Sequence, residues 1–417
     1  MLSPFRGLRY DPDTVDLSRA TSPPYDVIDV AGVAALEQAS DVNVVRLILP
    51  RDERSEGDRY LRAAATLQQW RDAGVLRPDP EPALYVYEQA SGTHAQRGLL
   101  GALALSPPED GIVLPHENTM SGTVSDRLAL YTAVGADLEP IFLLYAGDGA
   151  ASEAVAAVST QQPLVDVDLP DGLRHRLWAL TEPRQLAAIA TDLRGRTALI
   201  ADGHHRYATY LQRQAAAHAA GQGAGPWDFG LTFLVDSSAF GPEVHPIHRV
   251  VPHVEAFELA RRTAGAARVH DLDGDDLPSA LEALARAGAA GPAFLLVSGD
   301  GGTLRLVTDP DPARLAAALP PERSQAWRGL DVSVLHHFLV ADVWGLVDDV
   351  ETVRYEHDVE AAIAAAAATG GTAVLLNPSP VEAVTAVAAG GERMPRKSTL
   401  FTPKPRTGLL IRDHRDA

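Results

Sequence analysis

Thr197-Ala198-Leu199-Ile200-Ala201-Asp202-Gly203-His204-His205-Arg206-Tyr207-Ala208-Thr209-Tyr210-Leu211 changes its period at Gly203. Ala198 to Ala201 is a short unbroken apolar run closed by Asp-Gly, the signature of a buried strand. Beyond Gly203 the pattern turns helical and runs to about Ala219. The backbone N–H groups of Gly203 to Arg206 therefore stand at a helix N-terminus, which is an anion site by geometry. Asp202 reads as the N-cap and Gly203 allows close backbone approach. His204, His205 and Arg206 add side-chain donors where the helix dipole favours negative charge by about 0.3–1 kcal/mol. The plain alternative is a capped helix carrying two surface histidines. Crowding Asp, His, His and Arg at a strand's carboxyl end has no packing reason, so the segment is read as a phosphate-binding turn.

A second cluster lies upstream. Pro115-His116-Glu117-Asn118-Thr119, followed by Ser125-Asp126-Arg127, offers a carboxylate able to act as a base and an arginine for charge. Read conservatively, Asn118 and Thr119 are turn residues and Ser125 caps the next helix. Two more basic spots stand nearer the C-terminus, His245-Pro246-Ile247-His248-Arg249 and Met394-Pro395-Arg396-Lys397-Ser398-Thr399, the latter running on to Phe401-Thr402-Pro403-Lys404. Lys397 and Lys404 are the only lysines of the chain. With Arg396 they are expected to line a pocket for an anionic group, the bland alternative being a solvated loop.

Around these clusters the chain alternates strand and helix. Ser22 to Ile28 is non-helical because residues before proline are pushed towards extended geometry. Val42 to Leu49 is a short β-branched run, and Gly57 to Trp70 places Tyr60, Leu61, Ala64, Leu67 and Trp70 on one helical face. Leu84–Glu88 and Gly98–Leu105 flank Ser91-Gly92-Thr93 as a hairpin. Ile112–Leu114, a helix from Ser125 to Gly135 and a strand at Ile141–Tyr145 bracket the second cluster. Residues 147–195 read as an insertion of short helices, and Phe229–Val235 with Val244–Ile247 completes a sheet. Beyond residue 252, helices at Leu277–Ala287, Leu330–Leu346, Ala361–Ala368 and Val381–Ala389 alternate with strands at Ala293–Val297, Leu304–Val307, near Val353 and Ala373–Leu376. The pattern predicts an α+β fold in two domains, 1–250 with a core over about 112–215, and 251–417.

Composition excludes several classes. A net charge of −19 and a pI near 5.1 mean that a polyanion is held only by a local basic cluster, so nucleic acid is not an expected partner. Absence of cysteine removes disulfides, thiolate metal sites and a cysteine nucleophile. No run approaches the roughly 18 apolar residues of a membrane span, and Met1 to Leu17 lacks the apolar core of a signal peptide. The expected setting is cytoplasmic, with no membrane partner. G-x-S-x-G, G-x-x-x-x-G-K-[ST] and G-x-G-x-x-G are all missing from the sequence. Neighbouring His204 and His205 are poorly spaced for one zinc ion, and His116-Glu117 lacks the H-E-x-x-H spacing. Mg²⁺ bridging phosphate oxygens beside Glu117 or Asp202 is the expected metal chemistry, with the protein ligands left open.

The order of a leading loop with Pro115 to Thr119, a helix followed by Leu138-Glu139-Pro140-Ile141, a strand, and a strand entering Ala201-Asp202-Gly203-His204-His205-Arg206 resembles the ParB/sulfiredoxin superfamily. Its His-His-Arg form is similar to the free serine kinase branch, over about residues 112–215 and interrupted by the insertion at about 147–195. Over the full length, PPYDVI, HENT, ADGHHRY and MPRKSTLFTPK resemble the bacterial family DUF1015. The resemblance implies a ParB/sulfiredoxin-like core plus a second α+β unit, with Glu117 as the catalytic carboxylate and Asp202 to Arg206 as the phosphate turn. The function it leads us to expect is phosphoryl transfer from ATP, ADP or pyrophosphate, with Mg²⁺, to free L-serine. Glu117, Asp202 and His204 are the expected catalytic residues. Gly203, His204, His205, Arg206, Arg127 and Lys397 would hold phosphate, and His116, Asn118 and Thr119 the acceptor. Two other readings stand beside it: a ParB-like nucleotide-binding regulatory module without chemistry, and a phosphoserine phosphatase.

Overall fold

The computed structural model describes residues 1–51, 58–92, 94–272, 274, 276–349 and 351–416. The chain forms two compact units, Met1–Pro242 with Pro403–Ala417, and Glu243–Thr402. This differs from the expected division at residue 250, because the last residues return to the first unit. Leu409, Leu410 and Ile411 are buried there, and Ile411 exchanges backbone hydrogen bonds of 2.9 and 3.0 Å with Leu8. Among the described residues no helix is long and apolar enough to cross a membrane.

The first unit is built on a nine-stranded mixed sheet. Its strands are Leu2–Ser3 (β1), Leu84–Ser91 (β2), His94–Ala104 (β3), Val113–Leu114 (β4), Ile141–Tyr145 (β5), Val165–Asp168 (β6), Arg174–Leu180 (β7), Ala198–Asp202 (β8) and Phe229–Asp236 (β9). They lie in the order β4-β8-β5-β9-β3-β2-β7-β6, with β1 also on β3. The α+β reading holds. The segment 147–195 corrects its own expectation: besides helices at Ala150–Val158 and Pro183–Asp192 it contributes β6 and β7 to the sheet.

Three helices flank the polar clusters: Asp58–Asp72 (α1), Ser121–Val134 (α2) and His204–Ala219 (α3). In α1 the buried face is Ala63, Leu67 and Trp70, while Leu61 stays 67% exposed. Gly57, the expected start of that helix, and Thr93 of the expected hairpin turn lie outside the described residues. Val42–Leu49 forms no strand. Asn43 Oδ1 accepts from Val45 N at 2.9 Å and opens a helical turn over Val45–Ile48. Helix α2 begins at Ser121, so Ser125 sits inside it, and Gly135 ends it in the left-handed conformation at φ 66°. Tyr131 of α2 stacks on Tyr210 of α3 at 5.7 Å between centroids. These rings, with Leu130, Tyr207 and the strand residues Phe142, Leu143, Leu199, Ile200 and Phe233, are buried. Each large apolar side chain so buried contributes about 1.5–3 kcal/mol.

Register brings the two polar clusters to one place. β8 pairs with β4 in parallel, Ala198 opposite Val113 and Leu199 opposite Leu114, so both strands run out at the same end of the sheet. β5 is antiparallel to β8, and its first residues lie at that end too. The register shifts between Ile200 and Asp202, which faces Phe142; such a bulge re-aims the residues downstream of it.

The second unit carries a six-stranded antiparallel sheet. Its strands are His248–Val251 (β10), Arg268–Asp271 (β11), Phe294–Ser298 (β12), Leu304–Thr308 (β13), Arg354–Glu356 (β14) and Thr372–Leu376 (β15), in the order β11-β13-β12-β15-β10-β14. Alternation sorts its core: Phe294, Leu296, Val374 and Leu376 face one apolar cluster, and Leu295, Val297, Ala373 and Leu375 the other. The helix expected over Leu330–Leu346 is a short α-turn, Asp331–Ser333, continuing as a π-helix over Val334–Val343.

Candidate functional site

Because β4 and β8 are parallel neighbours, the loop after Leu114 and the turn after Asp202 emerge side by side, and both histidines stitch them together. His204 Nε2 accepts from the backbone N–H of His116 at 3.2 Å. His205 Nε2 accepts from Met120 N at 3.0 Å. A ring nitrogen that accepts carries no proton, so at these positions the histidines are organisers rather than cations. Burial, aided by the charge of Arg206, holds the His205 ring below its ordinary pKa and favours the neutral form. Glu117 lies between the two stitched residues, with Oε2 3.8 Å from His204 Nδ1 and the side chain 36% exposed. His116 is fully buried and meets the His204 ring edge-on at 4.6 Å between centroids, while Asn118 and Thr119 are exposed.

Gly203 has φ 96°, a left-handed conformation that glycine adopts without penalty, and it is the residue that caps α3. The expected cap, Asp202, is not one. Its carboxylate is drawn to Arg206 one turn on and to Lys404 Nζ at 2.7 Å. Arg206 is buried and donates to the Pro140 carbonyl at 2.5 Å as well as to Asp202. It braces the turn from beneath, and its own cation is shielded from solvent. The first-turn N–H groups of α3 have no acceptor within the helix.

Lys404 reaches this turn from the far end of the sequence. It donates to Asp26 Oδ2 at 3.1 Å, 378 residues away, as well as to Asp202. Burial alone would lower the lysine's pKa, but Asp202 and Asp26 outweigh it and keep the ammonium charged. Burial likewise raises the Asp26 carboxyl, and Lys404 with Arg206 overcomes this and holds it below the usual range. The Asp26 side chain remains 38% exposed and the Lys404 side chain 19%. Lys397, expected beside Arg206, belongs to the second unit, so the two lysines fall in different units. His248 and Arg249, expected as a basic spot, are buried in that same unit.

Arg127 is buried, pairs with Asp126 at 2.6 Å and donates to the Ile48 carbonyl at 2.6 Å. Its guanidinium sits 4.5 Å from the Tyr25 ring centroid, and that of Arg206 is 6.0 Å from the same centroid. Tyr25 thus has both arginines against its ring, and burial raises its hydroxyl to about 12. Glu139 is fully buried, and Oε1 accepts from Tyr25 N at 3.0 Å and Thr407 Oγ1 at 3.2 Å. It ties the segments bearing Asp26 and Lys404 to the start of β5. Burial raises its carboxyl in spite of Arg206 and Arg127. Asp26, Tyr25 and Glu139 have no catalytic or binding role in the sequence reading, their only signal being membership of the PPYDVI and LEPI segments; Lys404 is expected there in an anion pocket, but with Arg396 and Lys397, which belong to the second unit. Among the described residues no group of three or more histidines and carboxylates is placed to hold a metal ion. Asp26 and Asp202 are a pair, which suits an ion held mostly by phosphate oxygens.

A family model described as a protein of unknown function, DUF1015, matches residues 2–333. No curated protein matches the chain. Solved structures similar to it include a free serine kinase variant in complex with ADP, at 16% identity and a TM-score of 0.33, covering 72% of this chain and 89% of that one. A conserved hypothetical protein from Pyrococcus furiosus has 14% identity and a TM-score of 0.33, covering 73% and 94%. SbnI with a C-terminal truncation, from Staphylococcus aureus, has 10% identity and a TM-score of 0.35, covering 75% and 87%.

Proposed function

The chain belongs to the DUF1015 family, and we propose that it is a cytoplasmic phosphotransferase that passes a phosphoryl group to the hydroxyl of a small acceptor, free L-serine first. The observation that carries this reading is the stitching of the Glu117 loop to the Gly203 turn by His204 and His205. It sets a partly exposed carboxylate beside a helix N-terminus that also holds a lysine. The donor's terminal phosphate sits on the first-turn amides of α3, with Lys404 leaving Asp26 to neutralise it. The acceptor's hydroxyl gives its proton to Glu117 as its oxygen bonds to phosphorus, and the bond from phosphorus to the donor's leaving oxygen breaks. His204 Nδ1 faces Glu117 and steadies it. A base so placed contributes about 10²–10⁴-fold, and fixed donors aimed at the transferred group supply much of the rest. Mg²⁺ entering with the donor would be held by phosphate oxygens with Asp26 or Asp202 and would spread the negative charge.

Phosphorus NMR of the protein with L-serine, Mg²⁺ and, in separate tubes, ATP, ADP and pyrophosphate tests this. A phosphoserine signal in one tube is the expected result and names the donor. Glu117→Gln should lower turnover by about 10²–10⁴-fold with donor affinity little changed. Silence in all tubes, or turnover in Glu117→Gln equal to wild type, overturns the reading. Release of inorganic phosphate from phosphoserine without an acceptor would replace it with a phosphatase.

A further inference from the structure

The sheet of the first unit carries a line of buried polar side chains that the phosphotransferase reading does not use. His175 on β7 lies opposite Gln89 on β2, and Gln89 lies opposite Gln96 on β3, so the three stand in register across neighbouring strands. Tyr87 is two residues along β2 and shares their face. All four are buried. Apolar side chains would cover such a face at lower cost, because every buried polar atom needs a partner. The partner here is the tail. Gln96 Nε2 donates to the Pro403 carbonyl and to Gln89 Oε1, both at 2.9 Å, and Gln89 Nε2 donates to the Lys404 carbonyl at 2.9 Å. Tyr87 Oη accepts from Arg406 N at 3.2 Å. These bonds grip the backbone on both sides of Lys404, whose ammonium they deliver to Asp26 and Asp202.

His175 ends the line and has the chemistry to release it. Both oxygens of the partly exposed Asp171 carboxylate lie 3.1 Å from His175 Nε2, and Tyr87 Oη is 2.7 Å from His175 Nδ1. Burial would raise the Asp171 carboxyl, but its bond to His175 outweighs this and holds it low. Asp171 therefore only accepts, and Nε2 carries a proton. In the neutral ring Nδ1 then accepts from Tyr87, which leaves the phenol oxygen free to accept from Arg406 N. A second ring proton, on Nδ1, would turn the Tyr87 hydroxyl from donor to acceptor and leave its buried hydrogen without this partner. It would also add a cation beside Arg406, whose Nη1 is 3.6 Å from the same Asp171 carboxylate. The residues opposite His175 on the adjoining strands are neutral, Gln89 on β2 and Val167 on β6.

We propose that Tyr87, Gln89, Gln96 and His175 are positioning residues that seat Lys404 at the phosphate turn, and that protonation of His175 unseats it. The donor's need for that seat rests on the phosphotransferase reading; the seat itself does not. Lys397 and Lys404 are the only lysines of the chain, so carbon NMR of the full chain labelled at lysine gives two ε-methylene signals, assigned with Lys397→Arg. Between pH 7.5 and 5.5, where histidine titrates and carboxylates ordinarily do not, the Lys404 signal should move to the free-lysine position while that of Lys397 stays. His175→Gln can make both bonds of the neutral ring but takes up no proton, so its Lys404 signal should hold the pH 7.5 position throughout. Tyr87→Phe should speed hydrogen–deuterium exchange over 403–407 about two- to twelvefold at pH 7.5, as expected for one lost hydrogen bond. A wild-type Lys404 signal unmoved by acid, or one that moves as far in His175→Gln, overturns the proposal. So does wild-type exchange over 403–407 in a Tyr87→Phe variant that melts like wild type. Should His175→Gln not fold, the wild-type titration and Tyr87→Phe decide. Silence in the phosphorus NMR test, with the Lys404 signal behaving as expected, strikes the phosphotransferase reading and leaves the seat standing.

Discussion

Replacing Lys404 with Met tests whether the tail's ammonium serves the donor or only ties carboxylates together. The variant keeps most of the side chain's bulk and removes the charge that bridges Asp26 and Asp202 at 3.1 and 2.7 Å. A hydrogen bond to a charged group is worth about 1.5–3 kcal/mol, and about 1.36 kcal/mol is a factor of ten. If Lys404 transfers one such bond to the donor's phosphate, Lys404→Met should raise the donor KM about 10- to 150-fold, with kcat changed much less. The fold should survive, because Asp202 keeps Arg206 as a partner and Asp26 is partly solvated. The assay is initial rate against donor concentration at two ionic strengths, beside a thermal melt. A donor KM within about twofold of wild type, in a variant with an unchanged melt, refutes the assignment. A loss of activity that follows a loss of folding would instead make Lys404 a structural tie.

Three further outcomes are expected. Gly203→Ala forces a β-carbon into a backbone at φ 96° and within 3.1 Å of Arg206 Nε and Ile141 Cγ2; it should cost about 1–2 kcal/mol in denaturant unfolding and depress donor binding more than acceptor binding. Asp137 is fully buried and accepts from Arg213, Arg412, His414 and the Leu231 amide; Asp137→Asn leaves two buried arginines short of charge and should lower stability by about 3–5 kcal/mol, read as a fall in urea midpoint. Asp331 supplies a pH test. Burial lifts its carboxyl from 3.8 to about 7, so the folded state holds a proton that the unfolded state releases between those values. Its contribution is complete below about pH 4 and is lost as pH rises through 7, and Asp331→Asn should therefore gain up to about 4 kcal/mol over wild type at pH 8 and little at pH 4. Parallel stability curves for the two proteins would refute this.

The turn at Gly203 is legible in the sequence because everything that makes it is local: an apolar run, a glycine and a helical period lie within fifteen residues. That Glu117 stands beside it is not derivable from spacing, since the neighbourhood is created by parallel pairing of β4 with β8. The histidines read as donors in the sequence and act as acceptors in the fold for a similar reason. Which nitrogen accepts is decided by the amides of His116 and Met120, on another loop. Asp202 looks like a cap because sequence shows the residue before a helix but not a lysine arriving from the C-terminal tail. Asp26 and Glu139 are single acids in polar or proline-bearing segments, and nothing within a few residues of either marks it as part of a site. The two strands inside 147–195 do leave a trace, the alternation Val165-Asp166-Val167-Asp168, but a polar edge strand buries too little to stand out from a surface helix.

The return of the tail to the first unit has a consequence for biosynthesis. When Pro242 leaves the ribosome, the sheet carrying Glu117 and Asp202 is already made, yet Lys404, Thr407 and Arg412 are not, and Asp137 and Glu139 wait without those partners. At about 5–20 residues per second, the stretch from Glu243 to Thr402 imposes a delay on the order of ten to thirty seconds. During that interval the nascent chain holds a charged turn without its lysine, so whatever chemistry the turn performs is withheld until the segment from Pro403 onward has been made and has returned to the first unit.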